Sequence, residues 1–283
     1  MNKVASRLLV FFIGIPLVIG IVCLNYYNHI ALNILAVVAS AFGANELHNM
    51  ASNKVKLFPK TLVIIFTAAL PFLSYNFILL DIDLSTLTWF LFFEIFFFMG
   101  FEALFSKSFD DSIVKISLTT LIIFYCGFMI TFVTRLTSIK EYATIYISLY
   151  FILVFMCDSG AWFFGVLFGK STRGIFAASP NKSLVGFFGG IITSIACAVL
   201  FKIFFPVVFY GPVWKIMIVA FGTSLAAVVG DLIESVFKRS CGVKDSGNLI
   251  PGRGGALDCL DSLILGAPIF YIAIHFFYLS AKI

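Results

Sequence analysis

An all-α fold that crosses a membrane many times is predicted by three features of the chain. Of its 283 residues, 61% are hydrophobic and 12% charged, where ordinary globular domains run near roughly 45–50% and about 25%. The apolar residues gather into nine runs, each close to the roughly 20 residues a helix needs to span the hydrocarbon core. The Lys and Arg residues fall mostly on alternate connecting segments, the bias that sets orientation in a bilayer.

The runs are about 8–25, 30–47, 60–80, 86–105, 113–134, 142–165, 184–206, 213–236 and 262–280. The first follows Lys3 and Arg7, a flank that also suits a signal peptide. No small-x-small cleavage site is evident, so it is read as a retained first span. The first half, up to about Tyr150, is nearly featureless, and its Phe-rich runs such as Phe92–Phe98 are read as facing lipid or other helices. Glu94 lies deep in the fourth run. Glu46 and Glu102 lie near helix ends, where a carboxylate can reach the interface, so the usual functional reading of an intramembrane acid is discounted for them. Asp158 interrupts the sixth run and is the residue that would break that helix. His48 and His275 have no metal partner in sequence.

With the N-terminus in the cytoplasm, the inner segments carry 14 of the 19 Lys and Arg residues and the outer ones four; Lys202 falls within the seventh run. The 3–4 loop, with Asp81 and Asp83 and no basic residue, fits the outer face. The reading is an integral, multi-pass protein of the cell (inner) membrane, with the N-terminus and the active-site loops cytoplasmic. The net charge of +5 reports topology and contact with the lipid bilayer rather than nucleic acid. Loops are short and no repeat is evident, so residues 1–283 form a single membrane domain. Within it, 1–150 are helices of weak signature, and 151–283 hold the catalytic helices and cytoplasmic loops. Six cysteines without metal-ligand spacing give no disulfide framework.

Against this apolar background stands one polar stretch, Gly230 to Ser262, with five acidic and four basic residues. Asp231, Glu234 and Lys238 are spaced to share one face of a helix that continues the eighth run. Asp258 and Asp261 repeat the spacing at the start of the ninth. A solvated surface helix or simple helix-dipole partners are the plain alternatives. If the two helices pack side by side, however, four carboxylates converge. Oxygen ligands without His or Cys favour Mg²⁺. Between them, Gly252, Arg253, Gly254 and Gly255 lead into a helix N-terminus, where free N–H groups meet an anion. Lys238, Arg239, Lys244 and Arg253 can neutralise phosphates. The expected content is a divalent metal and a polyphosphate at the membrane edge. A second polar island, Asp158 to Gly190, adds Asp158, Lys170, Arg173, Ser179 and Lys182 on the same predicted side. It is read as substrate-binding rather than only a positive-inside loop.

These residues resemble the signature of phosphatidate cytidylyltransferases, also called CDP-diacylglycerol synthases. The match lies in Gly230-Asp231-Leu232, Glu234-Ser235, Lys238-Arg239, Lys244-Asp245, Pro251-Gly252, Gly254-Gly255, Leu257-Asp258 and Asp261-Ser262. Asp158-Ser159-Gly160-Ala161, Phe168-Gly169-Lys170 and Ser179-Pro180 to Lys182 follow the family order, and coverage is roughly the C-terminal half. The chain departs by having Arg253 where the family usually has His, Cys259 where it often has Arg, and Val185 where it often has Glu. Arg253 keeps a donor but cannot serve as a base at neutral pH.

The resemblance implies transfer of the cytidylyl group of CTP to phosphatidate, giving CDP-diacylglycerol and pyrophosphate. It implies Mg²⁺ at Asp231, Asp258 and Asp261, with Glu234 as ligand or support, and allows a second cation such as K⁺. Lys238, Arg239, Lys244 and Arg253 would hold phosphates, with Gly254, Gly255, Ser179, Lys182 and Asp158 lining the substrate. A homodimer is compatible with it. A CTP-dependent kinase of a polyprenol-type alcohol is the enzymatic alternative, but an alcohol nucleophile needs a base and no well-placed His is available. A transporter with an acidic ion-coupling site is the other class. It is disfavoured because no repeat is seen and the charges gather on one side.

Overall fold

The computed structural model describes residues 15–250 and 254–279, and all its regular elements among them are helical apart from two isolated β-bridges. In chain order the helices are α1 (Ile15–Cys23), α2 (Tyr26–Ser52), α3 (Lys60–Leu79), α4 (Thr86–Phe105), α5 (Ser112–Leu136), α6 (Ala143–Phe168), α7 (Leu184–Phe204), α8 (Val213–Ser240) and α9 (Leu257–Leu279). Eight of these, α2 to α9, are long and apolar enough to cross a membrane. The protein is therefore a polytopic, all-α integral membrane protein. The expected first run, 8–25, lies partly outside the described residues; α1 is its described part.

Two helices carry π-helical turns that the apolar pattern does not report. α5 contains a π-helical turn, Ile123–Phe128, and α9 ends in another, His275–Leu279. Both keep the apolar character that marks a span, so hydropathy alone is blind to them. α6 runs unbroken through Asp158. A single carboxylate on a helix surface leaves the backbone ladder intact, so the sixth span is not divided.

The chain packs as two compact units. One comprises Met1–Ile139 with Ser240–Leu260, the other Lys140–Arg239 with Asp261–Ile283. In the first unit, polar side chains pin α2, α3 and α5 together, as interhelical hydrogen bonds do where the hydrophobic effect is weak. The Ser40 hydroxyl donates to the Thr67 carbonyl at 3.2 Å, and the Ser74 and Thr134 hydroxyls lie 2.5 Å apart. His48 is buried, with Nε2 2.9 Å from the Phe58 carbonyl oxygen.

In the second unit, α6 and α7 pack along small residues. A Cβ at Gly186 would lie 2.6 Å from the Ala161 carbonyl, and one at Gly190 2.6 Å from that of Cys157. Glycine at these points lets the two backbones touch. α7 begins at Ser183, whose hydroxyl accepts from the Gly186 N–H at 3.1 Å and satisfies one of the helix's orphan donors.

Candidate functional site

α8 carries the apolar run onward to Ser240, so Asp231, Glu234 and Lys238 ride on one helix at the spacing that aligns them. Just before them, Gly230 meets α9. A Cβ on Gly230 would lie 2.5 Å from the Asp261 carbonyl oxygen and 3.1 Å from Leu265 Cβ. Backbone meets backbone here, which only glycine permits. The close approach brings Asp231, Glu234 and Asp261 together, with one carboxylate oxygen from each within 4.8 Å of the others. Glu234 is 0% and Asp261 8% exposed.

Three carboxylates this close, two of them out of water, repel strongly in a low-dielectric setting. Two lysines offset part of that. Lys238 pairs with Glu234 from the next turn of α8, and Lys182 reaches Asp231 Oδ2 at 2.5 Å. The Asp261 carboxylate also accepts from the Ser262 N–H at 2.6 Å. Asp158, exposed on α6, is 3.5 Å from the Ser262 hydroxyl. Three acids against two lysines leave a formal negative charge, and Asp158 beside them adds another. The donor set is all oxygen, without His or Cys, and fits a hard divalent cation.

The second polar island is folded against this cluster by its own turns. Arg173 and Ser183 form an isolated bridge, the Gly174 N–H donates to the Pro180 carbonyl at 2.9 Å, and the Lys182 N–H to that of Ser179 at 3.1 Å. Arg239 Nε, from the end of α8, donates to the Ala178 carbonyl at 3.3 Å. The loop that bears Ser179 and Lys182 is thus tied at its base by Ser183 and along its length by Arg239.

Within the other unit lies a second acidic arrangement. Asp258 Oδ2 accepts from the Ser246 N–H at 2.9 Å, the Ser246 hydroxyl at 2.9 Å and the Gly255 N–H at 2.7 Å. Glu46, from α2, accepts from the Ala256 and Leu257 N–H groups, each at 2.9 Å, and its Oε2 lies 2.8 Å from the Ser246 hydroxyl, whose one proton it shares with Asp258. A carboxylate on the first N–H groups of α9 satisfies orphan donors and sits at the favourable end of the helix dipole. Gly254 has φ +104°, and a Cβ there would lie 2.5 Å from Asp258 Oδ2, so both the turn and the close approach require glycine. Gly255 is buried against Glu46 and Ser246, while Lys244 is exposed. Arg253 lies outside the described residues.

Glu46 and Ser246 are what the sequence reading missed. Glu46 is 6% exposed, so its placement at a helix end does not take it to water; it is buried because α9 supplies the donors. Glu102, too, is buried rather than interfacial, held by Lys115 at 2.5 Å and Ser112 at 2.6 Å. The available signal for Glu46 was an ionisable group in an apolar run, but its partners lie 200 or more positions away. Glu46→Gln replaces an acceptor with an NH₂ that faces N–H donors. The expected cost is about 2 kcal/mol, the scale of lost hydrogen bonds to a charged group. A lowered melting temperature in detergent, with intact helix content before the transition, is the check.

The helices and the cluster define a class: multi-span membrane proteins that gather carboxylates and lysines where two helices cross. More narrowly, the chain belongs to the cytidylyltransferase family, whose sequence model matches residues 5–277. It is 39% identical over 146 residues to the phosphatidate cytidylyltransferase of Staphylococcus epidermidis, covering 52% of this chain and 53% of that protein. It is 41% identical over 164 residues to the enzyme of that name from Haemophilus influenzae, with 57% and 56% covered. Against the Bacillus subtilis one it is 32% identical over 166 residues, with 58% and 60% covered. The chain thus spans about half the length of the curated relatives it matches.

Proposed function

We propose that the protein transfers the cytidylyl group of CTP to phosphatidate, giving CDP-diacylglycerol and pyrophosphate in phospholipid biosynthesis. The observation that carries this reading is the juxtaposition of Asp231, Glu234 and Asp261 with Lys182 and Lys238, in a chain of the cytidylyltransferase family. The acids suit a divalent cation, and the lysines suit the phosphates that come with it.

In the reaction an oxygen of the phosphatidate phosphate attacks the α-phosphorus of CTP. A P–O bond forms there, the α–β P–O bond breaks, and its electron pair leaves with pyrophosphate. The lipid phosphate is already anionic near neutral pH, so no residue need remove a proton before attack. The chain's work is positioning and charge neutralisation. Asp231, Glu234 and Asp261 would hold Mg²⁺, which when bound neutralises charge on the triphosphate; a second cation such as K⁺ belongs to the same proposal. Lys238 fixes Glu234. Lys182 and Arg239 would meet phosphate oxygens; within the other unit, Asp258 and Glu46 take up the N–H groups of Gly255, Ala256 and Leu257 and so hold the turn that leads into α9.

The same reading sets the protein in the inner membrane, with its N-terminus and the polar loops in the cytoplasm, where CTP is found. The alternation of Lys and Arg along the loops supports that orientation. Position-specific labelling tests the chemistry. With CTP labelled at the α-phosphate, label is expected in the lipid product when phosphatidate is the acceptor. Transfer of the γ-phosphate to a polyprenol-type alcohol would mean a kinase instead, and no transfer by folded protein to either acceptor would reject both enzyme readings.

A further inference from the structure

The two lysines of the acidic cluster are not equivalent. Lys238 and Glu234 sit one helical turn apart on α8, with side chains 12% and 0% exposed. Removing either partner would strand a buried charge, so that pair is a fixed part of the site. Lys182 and Asp231 come from different elements, a turn-rich loop and α8, and their side chains are 27% and 34% exposed. The Lys182 Nζ is itself shielded from water, but its partner stands on another element, so rotation of the lysine side chain alone parts the pair without moving α8. Yet Lys182 holds a carboxylate oxygen of the very group that would bind a divalent cation.

We infer that Lys182 is a displaceable internal counter-ion of the cation site: its ammonium occupies Asp231 when no metal is bound and is released when a divalent cation enters. This rests on the metal-site reading above and adds a competition to it. The released ammonium is then available for an anionic phosphate, while its loop stays in place. The Ser183 cap, the Arg173–Ser183 bridge and the Arg239 contact to Ala178 anchor the backbone whichever partner the ammonium has. The arrangement keeps the carboxylates from facing each other uncompensated in the metal-free protein, at small cost to metal affinity. Lys238 does not exchange in this way, because its own side chain is only 12% exposed and its ammonium would lose its carboxylate partner with little access to water.

The test is equilibrium binding of Mn²⁺ alone to purified protein in detergent, followed by the loss of free Mn²⁺ signal. Lys182→Met is expected to tighten binding about fivefold or more, since it removes both the competing partner and a nearby positive charge. Lys182→Arg keeps the charge and is expected to stay near wild type. Asp231→Asn should bind weakly with either residue at 182. Unchanged or weaker Mn²⁺ binding in a monodisperse Lys182→Met protein would overturn the competition and leave the metal site standing. Failure of wild type itself to bind Mn²⁺, equal to that of Asp231→Asn, would remove both. The lysine is on a partly exposed loop and outside any helix, so the variant is expected to fold; a melting temperature within a few degrees of wild type confirms it.

Discussion

Asp261→Asn is expected to abolish cytidylyl transfer, lowering kcat/KM by about 10³-fold or more, the scale seen when a preorganised charge-stabilising group is lost. The same substitution is expected to leave the fold intact and to raise the thermal stability of the metal-free protein. Asp261 is buried beside Asp231 and Glu234, and exchanging one of three crowded carboxylates for a neutral isostere relieves repulsion and desolvation. Wild type should gain melting temperature on addition of Mg²⁺, as any ligand that binds only the folded state confers, and the variant should not. Paired turnover and melting curves with and without Mg²⁺ are the measurement. A variant that keeps wild-type turnover would remove Asp261 from the chemistry. One that loses turnover together with metal-free stability would make its role structural.

Gly230→Ala is the second large effect, and it touches no charged group. The added methyl would meet the Asp261 carbonyl at 2.5 Å, a distance real Cβ contacts do not show, and the obstacle is backbone rather than a movable side chain. α8 and α9 must separate. An overpacked interior typically loses about 1–3 kcal/mol, and displacement of catalytic groups by even about 1 Å can reduce rate about 10²-fold. The expectation is a lowered melting temperature together with a fall in kcat and in Mg²⁺ affinity, since Asp231 and Glu234 move with α8. Gly222→Ala, at a looser position on the same helix where the nearest atom is an Ile269 side-chain carbon at 3.3 Å, serves as the comparison and should be far milder. Equal effects at the two positions would show that the close approach at Gly230 has no special role.

Much of this was legible in the residues, for physical reasons that differ between elements. Membrane spans declare themselves through hydropathy because every residue facing lipid is selected the same way, and α2 to α9 follow the apolar runs closely. The pairing of Asp231 with Glu234 is local, fixed by helix geometry once α8 is seen to continue past its apolar part. That Asp261 joins them depends on a helix crossing, and the one residue that reports it, Gly230, looks like any other glycine until its neighbour is known. The contact of Lys182 with Asp231 joins two polar islands, read from sequence only as sharing a side of the membrane. Glu46 was the hardest. Its role comes from backbone N–H groups of Ala256 and Leu257, and backbone donors leave no trace in side-chain identity. Asp258 resembles Asp261 in spacing and type, yet its Oδ2 is engaged by three donors from Ser246 and Gly255. Spacing alone could not separate a carboxylate that organises a turn from one that faces other carboxylates.

The most direct test of the central claim is pyrophosphate release by the purified protein in detergent, with CTP, phosphatidate and Mg²⁺ supplied together and each omitted in turn. The account predicts release only when all three are present, its loss on chelation of the metal and recovery on adding Mg²⁺ back, and its absence in Asp231→Asn and Asp261→Asn. Release that persists without phosphatidate or without a divalent cation, or that survives in both variants, would contradict it.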